Sequence, residues 1–139
     1  MNYQISFWPT VAAAISSLVL GGLWYGPLFG KVWMKEMGWD QNDQAKMAGM
    51  KRQAKWSYGF YFLLNIITAL VLAKVLAVFG ASNLSDALKI GFFMWLGFFF
   101  PVISGGKLWN NRPLKGVGID LAFQLVMICI MALILVSWR

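Results

Sequence analysis

Gly21-Gly22-Leu23-Trp24-Tyr25-Gly26-Pro27-Leu28-Phe29-Gly30-Lys31-Val32-Trp33 follows an apolar segment without a charged side chain and opens the most basic stretch of the chain. Pro27 has no amide proton and its ring collides with the preceding turn, so a helix arriving here ends or kinks. Gly21, Gly22, Gly26 and Gly30 loosen the backbone and admit a close neighbour. Trp24, Tyr25 and Trp33 suit a membrane–water boundary. The segment reads as the exit of a first transmembrane helix.

Composition carries that reading outward. The 139 residues are 60% hydrophobic and only 12% charged, roughly half the charge of a soluble domain, and mean hydropathy is +0.65. Lipid is therefore the expected solvent for most of the chain. Three further apolar runs, each near the ~20 residues that cross a bilayer, give spans at about 5–24, 56–79, 87–104 and 116–138. No polar stretch between them is long enough for a soluble core of its own. The expectation is an all-α integral membrane protein, one membrane domain over residues 1–139 with four transmembrane helices.

The connections differ in kind. Residues 31–55 are polar, and Asp40 followed by Asp43 resembles an N-cap with an acidic first turn, which puts a helix start near Gln41. That interfacial helix can run straight into the second span. Gly80-Ala81-Ser82-Asn83-Leu84-Ser85-Asp86 is a short turn, and Pro101 is expected to kink the third helix before it stops at Gly105-Gly106. Lys31, Lys35, Lys46, Lys51, Arg52, Lys55, Lys107, Arg112 and Lys115 fall in the first and third connections; Lys74, Lys89 and Arg139 fall on the other side. The positive-inside rule puts the basic connections in the cytoplasm and both termini outside, N-out/C-out. The net charge of +7 thus addresses lipid head groups rather than nucleic acid. A faint repeat pairs the segment from Pro27 to Trp33 with the one from Pro101 to Trp109. It reads as a duplicated two-helix unit or, more simply, as the Gly, Pro, Trp and Lys collected by any helix leaving a membrane.

Chemistry is sparse. There is no histidine, which removes His-based catalysis, the Ser-His-Asp triad, His-type zinc sites and bis-His haem. Cys129, the only cysteine, has no partner for an intrachain disulfide and reads as a small core residue. The N-terminus lacks the basic n-region of a cleaved signal peptide. Met34, Met37, Met47 and Met50 cluster around the first connection in a pattern that can suit Cu(I), but the interfacial-helix reading is preferred and no metal or cofactor is assigned.

Asp120 is the only carboxylate inside an expected span, and charges at such depth are expensive and often functional. It lies close enough to the basic end to pair with Arg112, Lys115 or Lys107. Gln124 shares its face one turn on; Asn65 and Thr68 lie near the middle of the second span. The four either converge on one polar cavity or act as hydrogen-bonding glue between helices.

The segment from Gly21 through Lys31 to Trp33-Met34, with Arg112-Pro113-Leu114-Lys115 leading into the last span, resembles the small membrane proteins grouped as domain of unknown function 1761. The resemblance covers essentially the whole chain and implies a four-helix bacterial inner-membrane protein with no assigned activity. Members often carry a histidine near the position of Gln124, so no metal or proton role is carried over to it. No enzyme motif is present. The function expected is a small oligomeric membrane transporter or channel of unknown solute, a homo-oligomer because four helices rarely enclose a path alone. The alternative is a non-catalytic accessory or structural membrane protein that packs on a partner.

Overall fold

The computed structural model describes residues 4–36, 38 and 42–138. Within them the chain is helical, without a strand. Helix α1 (Phe7–Leu23) passes through a π-helical turn (Trp24–Leu28) into the short α2 (Gly30–Glu36). Helix α3 spans Gln44–Val78, and α4 (Leu84–Met94) continues through a second π turn (Trp95–Phe99) into α5 (Phe100–Trp109); α6 (Leu114–Ser137) closes the chain. Four segments are long and apolar enough to cross a membrane: Phe7–Leu28, Gln44–Val78, Leu84–Trp109 and Leu114–Ser137. Large apolar side chains such as Phe60, Leu63, Phe93 and Phe98 lie more than half exposed on their outer faces, which lipid rather than water would cover.

The helix boundaries depart from the sequence reading in two places and follow it in a third. Asp43, not Asp40, caps α3 by accepting a hydrogen bond from the Lys46 amide at 3.1 Å; Asp40, Gln41 and Met37 lie outside the described residues. The interfacial helix and second span are one 35-residue helix, about 52 Å long at 1.5 Å per residue. The third helix does not end at Gly105-Gly106 but runs to Trp109. The strain of Pro101 is taken up before it, where the Phe100 amide reaches back to the Trp95 carbonyl. A π turn inserts one residue and relaxes the hydrogen-bond ladder that proline interrupts.

The π turns place the internal likeness in a different register from Pro27 and Pro101. Each begins at a tryptophan followed two residues later by glycine, Trp24-Tyr25-Gly26 and Trp95-Leu96-Gly97. Each indole donates to a backbone carbonyl of α6: Trp24 Nε1 to Ile119 at 3.2 Å, and Trp95 Nε1 to Leu121 at 2.9 Å. The two carbonyls flank Asp120.

Helix α6 is the most buried of the four spans and touches α1, α3, α4 and α5. The core is built from small and flexible side chains, among them Ala13, Ala69, Ala87, Met127, Met131 and Ala132. Its buried polar side chains are satisfied on their own helices. Thr10 Oγ1 donates to the Ser6 carbonyl at 2.9 Å and Ser17 Oγ to Ala14 at 2.6 Å, leaving little demand for partners across the bundle. Gln4, Thr10, Ala77, Leu135 and Trp138 border one small cleft, so the start of α1 and the ends of α3 and α6 share one end of the bundle.

Close approach of α4 to α6 rests on Gly91, where a Cβ would lie 3.6 Å from the Ile128 carbonyl oxygen and 3.7 Å from Cys129 Cα. That is contact without overlap. Gly91→Ala is expected to change stability by under about 1 kcal/mol and Gly91→Leu to cost about 1–3 kcal/mol by wedging the helices apart. SDS-unfolding curves of the two variants check this; equal curves would show that the helices are not in close contact at Gly91.

Candidate functional site

The polar chemistry gathers around Asp120, in the second turn of α6. Its Oδ1 accepts a hydrogen bond from Tyr25 Oη at 2.5 Å, and its Oδ2 accepts one from Arg112 Nη2 at the same distance. The side chains of Arg112 and Asp120 keep only 25% and 17% of their surface exposed. A carboxylate so placed must be neutralised by a close cation or bear a large desolvation cost. Of the three cations open to it from the sequence, the structure selects Arg112; Lys107 and Lys115 are exposed.

The backbone aims both partners. Asn111 adopts the left-handed conformation (φ 53°), which asparagine tolerates better than most side chains. The Arg112 amide turns back toward the Gly106 carbonyl at 3.4 Å. A Cβ on Gly106 would stand 3.3 Å from Arg112 Cδ, so glycine clears the course of the arginine stem. Tyr25 is aimed by the first π turn, closed by the Phe29 amide on the Trp24 carbonyl at 2.8 Å. A Cβ on Gly30 would collide with the Tyr25 carbonyl oxygen. The Tyr25 ring then packs edge-on against Trp33 and Phe123, with centroids 5.4 and 5.1 Å away.

Beside the ion pair lies an open cavity of about 380 Å³. Tyr25, Tyr58, Tyr61 and Phe123 form its aromatic walls, with Gly21 and Ile103 at its sides. Asp120 and Gln124 add a carboxylate and an amide to the tyrosine hydroxyls of its lining. Gln124 Oε1 is buried and finds no hydrogen-bond donor among the described residues. On the inner side, Tyr61 Oη points to Met127 Sδ at 3.8 Å, and Met127 is almost fully buried.

Of the residues singled out from the sequence, Asp120 and Gln124 share this cavity, and Tyr25 and Gly21 of the helix-end motif border it. Trp24 ties the π turn to α6 nearby, Pro27 lies within that turn, and Gly30 begins α2 just beyond it. Asn65 and Thr68 do not line it. Asn65, 3% exposed, donates Nδ2 to the Tyr61 carbonyl at 2.8 Å, and Thr68 Oγ1 donates to Leu64 at 3.2 Å. Gly22 and Gly26 have open space where a Cβ would stand. Sequence reasoning missed Tyr58, Tyr61 and Trp95. The first two are three residues apart and so share a helix face, and Trp95-x-Gly97 repeats Trp24-x-Gly26. Both signals were available.

A double-mutant cycle measures the ion pair. Asp120→Leu or Arg112→Met alone leaves one charge stranded, whereas the double substitution removes both. A coupling of about 1–3 kcal/mol is expected, with the double variant more stable than at least one single variant. Additive losses in SDS unfolding would contradict the pairing.

The model of a family described as a protein of unknown function (DUF1761) matches residues 8–136. No curated protein and no solved structure matches the chain.

Proposed function

This chain belongs to the DUF1761 family, and we propose that it is a small transport protein of a bacterial inner membrane whose solute site is the cavity beside Asp120. The observation that carries the reading is that cavity. It has a size usual for small-molecule sites, aromatic walls, and two polar groups converging in an otherwise apolar bundle. Its position supports a cytoplasmic opening, because it lies by the ends of α1, α5 and α6 that face the basic connections, with an N-out/C-out arrangement. On its inner side the cavity meets the contact of Tyr61 with Met127, and the working unit of this proposal is a homo-oligomer in which a second copy completes the path.

One observation favours the non-transporting accessory reading: Asp120 is already paired and the buried hydroxyls of α1 are satisfied on their own helix. Mass measurement in nanodiscs and osmotic-shrinkage assays on proteoliposomes with a panel of small solutes separate the two. Transport predicts at least two copies per particle and solute-dependent flux reduced by Tyr58→Leu. A monomer with no flux above empty liposomes supports the accessory reading.

Topology has its own test. In a Cys129→Ala background, Ser82→Cys is expected to react with an impermeant maleimide on intact spheroplasts, and Asn110→Cys only after lysis. The reverse pattern would invert the orientation.

A further inference from the structure

The polar surface of the cavity is biased toward accepting hydrogen bonds. An ionised carboxylate offers about four lone-pair directions; Tyr25 and Arg112 each occupy one on Asp120. Gln124 Oε1 adds a buried carbonyl oxygen with no donor among the described residues, an arrangement that is costly until a donor arrives. The two side chains stand one helical turn apart on the same face of α6, about 6 Å between Cβ atoms, so one small head group can reach Asp120 and, once the Gln124 amide turns toward the cavity its side chain lines, Gln124 as well. Tyr25 already spends its hydroxyl proton on Asp120.

The walls carry the same bias. The faces of aromatic rings are electronegative and attract cations, and four rings border this cavity. Arg112 does not line it; it balances Asp120 from outside. An anion would therefore meet the Asp120 carboxylate with no cation of the cavity wall to offset it, only the neutral tyrosine hydroxyls and the Gln124 amide N–H. Tyr58 and Tyr61 also border an adjoining, mostly apolar groove of about 530 Å³ that runs along Trp33, Phe60 and Leu64. A polar head in the first space can thus carry an apolar tail into the second.

Resting on the solute-site reading above, we infer that the ligand class is a lipophilic primary ammonium: a cation with N–H donors for Gln124 and Asp120, and an aryl or alkyl tail between Tyr58 and Tyr61. Quaternary ammoniums keep the charge but lack the donors. Carboxylates of the same shape reverse the charge.

Three probes of nearly one shape separate these demands: phenethylamine, its trimethylammonium derivative and 3-phenylpropionate. Each is titrated calorimetrically into the full chain in phosphatidylcholine nanodiscs, with empty nanodiscs as reference. Phenethylamine is expected to bind at least about tenfold tighter than either analogue. Gln124→Leu should erase its advantage over the trimethyl derivative, because only the donor contact is lost. Tyr58 is 55% exposed, so Tyr58→Leu tests the wall without disturbing the core and should weaken both cations together. Unfolding curves matching the unsubstituted chain accompany each variant, and if Gln124→Leu fails to fold, Tyr58→Leu carries the test. Binding of 3-phenylpropionate or the trimethyl derivative as tight as that of phenethylamine would overturn the ligand class and leave the cavity as a solute site. No binding of any probe above empty nanodiscs would overturn both.

Discussion

A carboxylate set into an apolar helix bundle cannot be left to itself, and the basic end of this molecule is arranged around that constraint. Removing a charge from water costs several kcal/mol unless a close cation and hydrogen bonds replace the solvent. Asp120 receives both, from Arg112 on the preceding turn and Tyr25 on the π turn that follows α1. Each partner depends on backbone of uncommon shape: the left-handed Asn111 and the glycine at position 106 for Arg112, the π turn and Gly30 for Tyr25. Trp24 and Trp95 pin the adjoining carbonyls of α6. The ion pair thereby joins α1, the α5–α6 turn and α6 at the place where the cavity opens.

The two ends of the molecule have different chemistry for related reasons. Away from Asp120, alanine, glycine and methionine allow close helix contact, and Thr10, Ser17 and Asn65 return their hydrogen bonds to their own helices. That part of the bundle asks for nothing further. Around Asp120, by contrast, four aromatic side chains border a space that Asp120 and Gln124 also line. Two of the four prolines mark the irregular backbone: Pro27 lies within the first π turn and Pro101 just after the second.

Much of the architecture was legible in the chain because four long apolar runs with basic flanks, the pattern a membrane-spanning protein requires, survive any detail of packing. The four long apolar helices, the Gly80 turn and the importance of the Trp24–Gly30 segment follow from that. Helix ends were less legible. Gly105-Gly106 looks like a stop, yet the helix runs through both glycines to Trp109. The site was half legible: Asp120 is conspicuous as a charge and Gln124 follows by periodicity, whereas Tyr58 and Tyr61 are marked only by sharing a helix face. Asn65 and Thr68 were grouped with them on depth alone. Depth does not fix which way a helix face turns in an apolar bundle, because lipid-facing and core-facing positions look alike.

The central claim is that the Asp120 end is an open, hydrated solute cavity while the middle of the bundle is dry. Water-edited solid-state NMR in lipid bilayers tests it most directly, by comparing the transfer of water magnetisation to the side chains of Asp120, Gln124 and Asn65. Rapid transfer to Asp120 and Gln124, with Asn65 reached only slowly, is the predicted result. Equally slow transfer to all three would contradict the account and make the Asp120–Arg112 pair a sealed structural tie.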